Sequence, residues 1–334
     1  MAQAGSHGAR LNLTDIRLRN DAKDDAMQPP HGEKTSGREE HSDSELLELV
    51  IAADEEALTE GLAPKQRSMA IVSKVMKKLG YISFVMTGDG MPPTAQRILE
   101  IHGSLYRPSD LAIGGIHGGV FMFRDIFARI YIPYGYGRMS VNPFQLTDLS
   151  EMQLRWLASR PQDLAAFHDQ FIDIFDFAGA LGRLGDYKVP SKEAQELLQL
   201  ASFQLQAAAA ALSVAFDFRG AVQSSLIGAE LSLKGGLAAQ GIDDKERRKH
   251  GHDLASAAKA FSTGSQAFDL DRVLLVIKRL PQYVENRYSP EQPDRVAVGH
   301  IVMGAQYIAG EVARQIGDYS IRSAMTPPVV RVYP

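Results

Sequence analysis

Between positions 20 and 44 the only apolar residues are Ala22, Ala26 and Met27, set among Asp, Glu, Lys, Ser and Gly with two prolines. Such a stretch cannot offset its own ordering entropy, so residues 1–43 read as a disordered leader. Ser42-Asp43-Ser44-Glu45 then offers small polar caps to a helix whose apolar positions are Leu46, Leu47, Leu49, Val50 and Ile51. Met69, Val72, Val75, Met76 and Leu79 recur at helical spacing over 65–79, with Lys74, Lys77 and Lys78 on the other side. Gly80 ends that helix, and 81–86 mixes aromatic and β-branched residues without helical spacing, which predicts a short strand. A helix is expected again at 94–102. Two further strands are expected at 120–123 and 127–132, before a turn at 133–137.

After Leu146 the period becomes helical, over 152–158 and 164–181, and beyond Pro190 almost every window is helical. Ser191 with Glu193 and Glu196 opens a helix running to about 218, acidic in its first turn as the helix dipole favours. Leu226, Ala229, Leu233 and Leu237 form one stripe of a second helix over 221–239, which stops at Gly241. A last helix over 294–316 would bury Val298, Ile301, Val302, Ala305, Ile308, Ala309, Val312 and Ile316. The fold class read from these periods is α+β. It comprises the leader, a mixed α+β middle domain at 44–185, an all-α up-and-down helical bundle at 191–318 and a tail at 319–334.

A chain of 334 residues has room for two such domains. Its 45% apolar and 23% charged residues are those of an ordinary globular protein. The net charge of -4 gives no global attraction for nucleic acid, so any such contact must come from a local basic patch. The absence of cysteine excludes disulfides, thiolate zinc sites and a cysteine nucleophile, and fits a reducing compartment. The longest apolar stretch, 207–216, is interrupted by Ser213, far short of the roughly 20 residues of a membrane span. No apolar core for a secretory signal stands near residue 1. These features read as a cytoplasmic protein with no membrane partner, and nothing in them calls for a metal or a cofactor.

Three segments carry a resemblance. They are Ala229-Glu230-Leu231-Ser232-Leu233-Lys234 with Leu237 and Gly241, His252-Asp253-Leu254 about a dozen residues on, and Asn286-Arg287-Tyr288-Ser289-Pro290 before the last helix. In this order, inside a helical stretch, they resemble the HEPN (higher eukaryotes and prokaryotes nucleotide-binding) family. Ser289 departs from the family pattern, in which the proline follows the tyrosine directly. The resemblance covers only the bundle. It implies a module that handles a nucleotide or RNA, a homodimer formed through the bundle, and a setting in bacterial defence or toxin-antitoxin systems. Lys234 and Arg287 become ligand-binding candidates by this resemblance. Arg248 joins them from the basic run 245–250, which is diluted by Asp243, Asp244 and Glu246 and reads equally as a solvated loop. His252, beside the helix cap Asp253, completes the set.

Some members of the family are metal-independent ribonucleases built on Arg-x4-6-His, in which the arginine stabilises phosphate charge and the imidazole moves a proton. Here Arg295 and His300 stand closest to that arrangement, although Val296 replaces the usual asparagine. Arg247 with His252 and Arg97 with His102 share the spacing, and with nine histidines chance supplies roughly two such pairs. A structural histidine is the competing reading of each. A metal-independent endoribonuclease using Arg295 and His300 across a dimer interface, and an interaction scaffold whose leader recruits a protein partner, are therefore the alternatives. Two other motifs fail on composition. Gly103-Ser104 with Ser109-Asp110 lacks a second carboxylate because Ala112 occupies its position. The glycines of 114–119 are followed by Val120 and Phe121 where a phosphate loop needs Lys and Ser or Thr.

Overall fold

A computed structural model describes residues 41–85, 90–111, 115–134, 141–183, 191–214, 217–281, 291–317, 320–325 and 330–334. The leader up to residue 40, residues 135–137 of the expected turn at 133–137, and the Arg287-Tyr288 segment lie outside the described residues. The chain divides into two compact units between Gly114 and Gly115.

In the smaller unit, α1 (Asp43–Thr59), α2 (Pro64–Lys78) and α3 (Pro93–Ser104) precede a single turn, α4 (Pro108–Leu111). Ser42 Oγ accepts from the Glu45 amide at 3.3 Å and Glu45 Oε2 accepts from the Ser42 amide at 2.8 Å, a reciprocal cap that sets the start of α1. Leu46, Val50 and Ala53 of α1 share a core with Ile71, Val72, Val75 and Met76 of α2 and with Ala95 and Ile98 of α3. The strand expected at 81–86 does not form over 81–85. Ile82 is 90% exposed and, among the described residues, no segment pairs with this stretch, so β-propensity has nothing to act through.

The larger unit opens with an antiparallel hairpin, β1 (His117–Phe123) and β2 (Ile126–Ile132), in register from His117 opposite Ile132 to Phe123 opposite Ile126. Arg124 takes φ +61° in the two-residue turn, as tight hairpins require. Helices follow: α5 (Glu151–Ala158), α6 (Pro161–Ala178), α7 (Lys192–Ser213), α8 (Phe218–Ala239), α9 (Asp244–Arg248), α10 (Leu254–Ser262), α11 (Leu270–Arg279), α12 (Arg295–Ile316) and the turn α13 (Ile321–Ala324). A Cβ on Gly228 would stand 2.8 Å from Leu205 and one on Gly235 would stand 3.0 Å from Leu198. The two number pairs have the same sum, so α7 and α8 run antiparallel and close together through glycine.

The chain is α+β and its hairpin forms where strands are expected, but it belongs to the same unit as the later helices. The expected 44–185 domain would end after α6. Instead Phe121, Phe123 and Ile130 of the hairpin and Phe167, Phe171 and Phe175 of α6 are buried in one core with Leu233, Val302 and Ile308 of the later helices. The physical reason is that a lone hairpin cannot bury both faces, and α12 supplies the missing surface. Gln306 of α12 fixes the joint: its Nε2 donates to the Val120 carbonyl and its Oε1 accepts from the Val120 amide, both at 2.8 Å. Among the described residues α12 is the one helix long and apolar enough to cross a membrane, and 78% of that window is buried inside the unit, as its central place in the core demands.

Candidate ligand site on the helical unit

Glu230 and Lys234 stand one turn apart on α8 and therefore face the same way. Asp253 caps α10 by accepting from the Ser256 amide at 3.0 Å, and Gly251, at φ +53°, lets the chain turn sharply just before it. The turn brings His252 to α8. Glu230 then holds two partners: Lys234 Nζ at 2.6 Å and His252 Nδ1 at 2.8 Å. A carboxylate only accepts, so Nδ1 carries the hydrogen and Nε2 is the acceptor of the neutral ring. The side chains of Glu230 and Lys234 keep 14% and 19% exposure, against 60% for His252. Two of the three segments that carry the family resemblance thus meet at one point.

A cavity of about 250 Å³ opens beside this point, with Lys234 and Arg248 in its wall. Leu197 and Leu200 supply an apolar part, and Glu193, Glu196 and Asp244 line it together with Lys234, Arg247 and Arg248. Arg247 belongs to the fold: its side chain is 3% exposed and it donates to Glu193 and to the Ile242 carbonyl. Arg248 is different, with 78% exposure and, among the described residues, one ion pair, to Asp244 at 2.6 Å. Such a surface pair is worth about 0–1 kcal/mol, so a stronger anion can displace it. The lining carries no net formal charge, because three acids stand with three bases.

Arg295 and His300 are not brought together. Five residues along a helix is about 500°, which turns them roughly 140° apart around α12. Arg295 Nε donates to the Asp125 carbonyl at 2.7 Å, and its guanidinium lies over the rings of Phe127 at 4.5 Å and Phe218 at 5.8 Å. His300 stacks on Tyr333, with Nδ1 3.3 Å from the phenol oxygen, and burial, reinforced by Arg279, lowers its pKa. Within one chain the two side chains therefore stand at separate places, each with its own contacts. Total RNA incubated in EDTA with the wild-type chain is expected to match the pattern from His300→Ala on a denaturing gel. Fragments produced by the wild type alone would contradict this. Arg97 and His102 are likewise engaged in the smaller unit, Arg97 by Asp43 and Glu100, and His102 buried against Asp54 and Ser68.

The sequence reading missed the most heavily charged place in the larger unit. Asp169, Asp173 and Asp176 recur at intervals of four and three along one face of α6, whose other buried residues are aromatic or aliphatic apart from Gln170, and all three are buried. Buried carboxylates need cations, and arginines from distant parts of the chain provide them. Arg322 reaches Asp169 at 2.8 Å, Arg331 bonds Asp173, and Arg314 bonds Asp173 at 2.9 Å, Asp176 at 3.3 Å and Glu311 at 2.5 Å. Burial pushes the Asp173 carboxyl up, but Arg331 and Arg314 outweigh it and hold the group below the usual range. For Asp176 burial prevails, and its pKa is pushed up to about 6. Three aspartates at helical spacing inside an apolar helix were the available signal. Among the described residues no group of three or more histidines or carboxylates stands as a metal site.

No protein-family model matches the chain, and no curated protein and no solved structure is significantly similar to it.

Proposed function

We propose that the larger unit is a HEPN-like module that binds a nucleotide or the phosphate backbone and bases of RNA, without using Arg295 and His300 as a catalytic pair. The observation that carries this reading is the pairing of Lys234 and Arg248 in the wall of one cavity, beside a Glu230 that holds both Lys234 and His252. A phosphate accepting from Arg248 in bidentate fashion replaces the exposed pair to Asp244 with a stronger, charge-assisted contact. Leu197 and Leu200 give a base an apolar face, and Glu193 and Glu196 accept from its exocyclic amino groups. A balanced cavity suits a ligand that brings both an anion and hydrogen-bond donors. It suits a bare polyanion less. A bacterial defence or toxin-antitoxin setting, and a dimer formed through the bundle, follow from the family resemblance as part of the same proposal.

The test is a thermal-shift titration with the four ribonucleoside triphosphates and a short single-stranded RNA. At a hundred times the dissociation constant, a ligand of the folded state adds about 2.7 kcal/mol of stability. The expected result is a concentration-dependent rise in Tm for the wild type that is lost in Lys234→Ala/Arg248→Ala. An equal rise in the double variant, or none in the wild type, would count against the proposal.

A further inference from the structure

Residues 330–334 run over the larger unit without helix or strand, and their burial alternates. Val330 and Val332 are 85% and 54% exposed, whereas Arg331 and Tyr333 turn inward. Five residues of this kind make few contacts of their own, yet side chains that are themselves buried grip them. Asp169 Oδ2 accepts from the Val332 amide at 2.6 Å and from the Tyr333 amide at 3.0 Å. Asp173 takes both ends of the Arg331 guanidinium, one at 2.9 Å, and the same guanidinium lies 4.6 Å over the Tyr307 ring. His300 stacks against Tyr333, and Arg272 donates to the Pro334 carbonyl at 3.3 Å. Asp169, Asp173 and Tyr307 are each 1% exposed or less and stand on α6 and α12, so the receiving surface is part of the rigid core.

Each carboxylate in this groove has two sources of compensation. Asp173 is bonded by Arg331 from the segment and by Arg314 from α12, and Asp169 by the segment's amides and by Arg322. Withdrawing the segment leaves one arginine on each, so the groove keeps half its pairing and does not become a pair of bare buried charges. Capture of main-chain amides together with alternate side chains is how proteins read short peptides. We propose that the groove formed by Asp169, Asp173, Tyr307 and His300 is a recognition site for a segment of the pattern Arg-any-Tyr. It is filled in cis by Arg331 to Tyr333, and the same pattern on a partner protein occupies it when the cis segment leaves.

The experiment uses the full chain ended after Val329 and a fluorescein-labelled peptide of residues 329–334, followed by fluorescence anisotropy. The shortened chain is expected to bind the peptide, and the intact chain to bind it at least about tenfold more weakly, because a tethered copy competes at an effective concentration near millimolar. Alanine at the arginine of the peptide, or Asp173→Asn in the shortened chain, is expected to weaken binding by a similar factor. Equal binding by intact and shortened chains, or by the two peptides, would overturn the proposal. If the shortened chain loses its fold by circular dichroism, the intact Arg331→Ala/Tyr333→Ala variant takes its place. Unfolding of that variant too, or its failure to bind the peptide, means that the segment is a permanent part of the core and also overturns the proposal.

Discussion

Arg314→Met is expected to lower the stability of the larger unit by about 3–5 kcal/mol, the cost of leaving a buried ion pair without one partner. Arg314 is 5% exposed in its side chain and holds three carboxylates, of which Asp173 and Asp176 are fully buried and Glu311 nearly so. Methionine keeps much of the volume and removes the charge. Asp176, whose pKa burial has already raised, then loses Arg314, while Asp173 retains Arg331. For a unit of this size the loss corresponds to a fall in Tm of roughly 6–20 °C. Differential scanning calorimetry of the full chain measures it. A shift of a degree or less would show that the cluster is not holding the helices together.

Acidification is expected to destabilise the wild type more steeply than His117→Gln. His117 is buried, its Nδ1 lies 2.9 Å from Ser202 Oγ and its ring meets the edge of Phe177 at 5.0 Å. Burial pushes its pKa down to about 3 from an ordinary 6.5. Below pH 6.5 the unfolded chain takes up a proton that the folded ring refuses. Stability therefore falls by about 1.4 kcal/mol per pH unit until the folded pKa is reached. Asp176 acts in the opposite sense, because a folded pKa near 6 retains a proton that the unfolded carboxyl releases down to 3.8. The two effects overlap in wild type, so the difference between wild type and His117→Gln isolates the histidine. Urea unfolding at pH 7, 6, 5 and 4 should give curves that converge as the pH falls. Parallel curves would mean that His117 titrates normally in the folded chain.

What could be read from the chain was local. The Ser42 and Glu45 cap, the Glu230 and Lys234 turn and the Asp253 helix start each depend on residues at most four apart, and each stands where its spacing suggests. The hairpin was legible for the same reason, because its partners are joined by two residues. Contacts that decide the architecture join distant positions. Gln306 meets Val120 across 186 residues, and Arg314 meets Asp176 across 138. No period in the sequence announces such a meeting, so the hairpin was assigned to the wrong neighbour and the aspartates of α6 went unnoticed. Residues 81–85 erred in the other direction, since a strand needs a partner as well as propensity. At the ligand site Lys234 and His252 were named through the family resemblance and Arg248 through the basic run, and Lys234 stands in one cavity wall with Arg248 while sharing Glu230 with His252. Neither could show that Glu193 and Glu196 join Asp244 in balancing the charge, because α7 comes from another part of the chain.

Photolabelling addresses the proposed site directly. Irradiation with 8-azidoadenosine triphosphate, followed by digestion and mass spectrometry, reports which residues touch the base. Adducts are expected in the α7 peptide containing Leu197 and Leu200 and in peptides carrying residues 234–252, and unlabelled ATP should suppress them. Suppressible adducts confined to residues 295–300, or labelling that unlabelled ATP does not reduce, would contradict the assignment of the cavity as the nucleotide site.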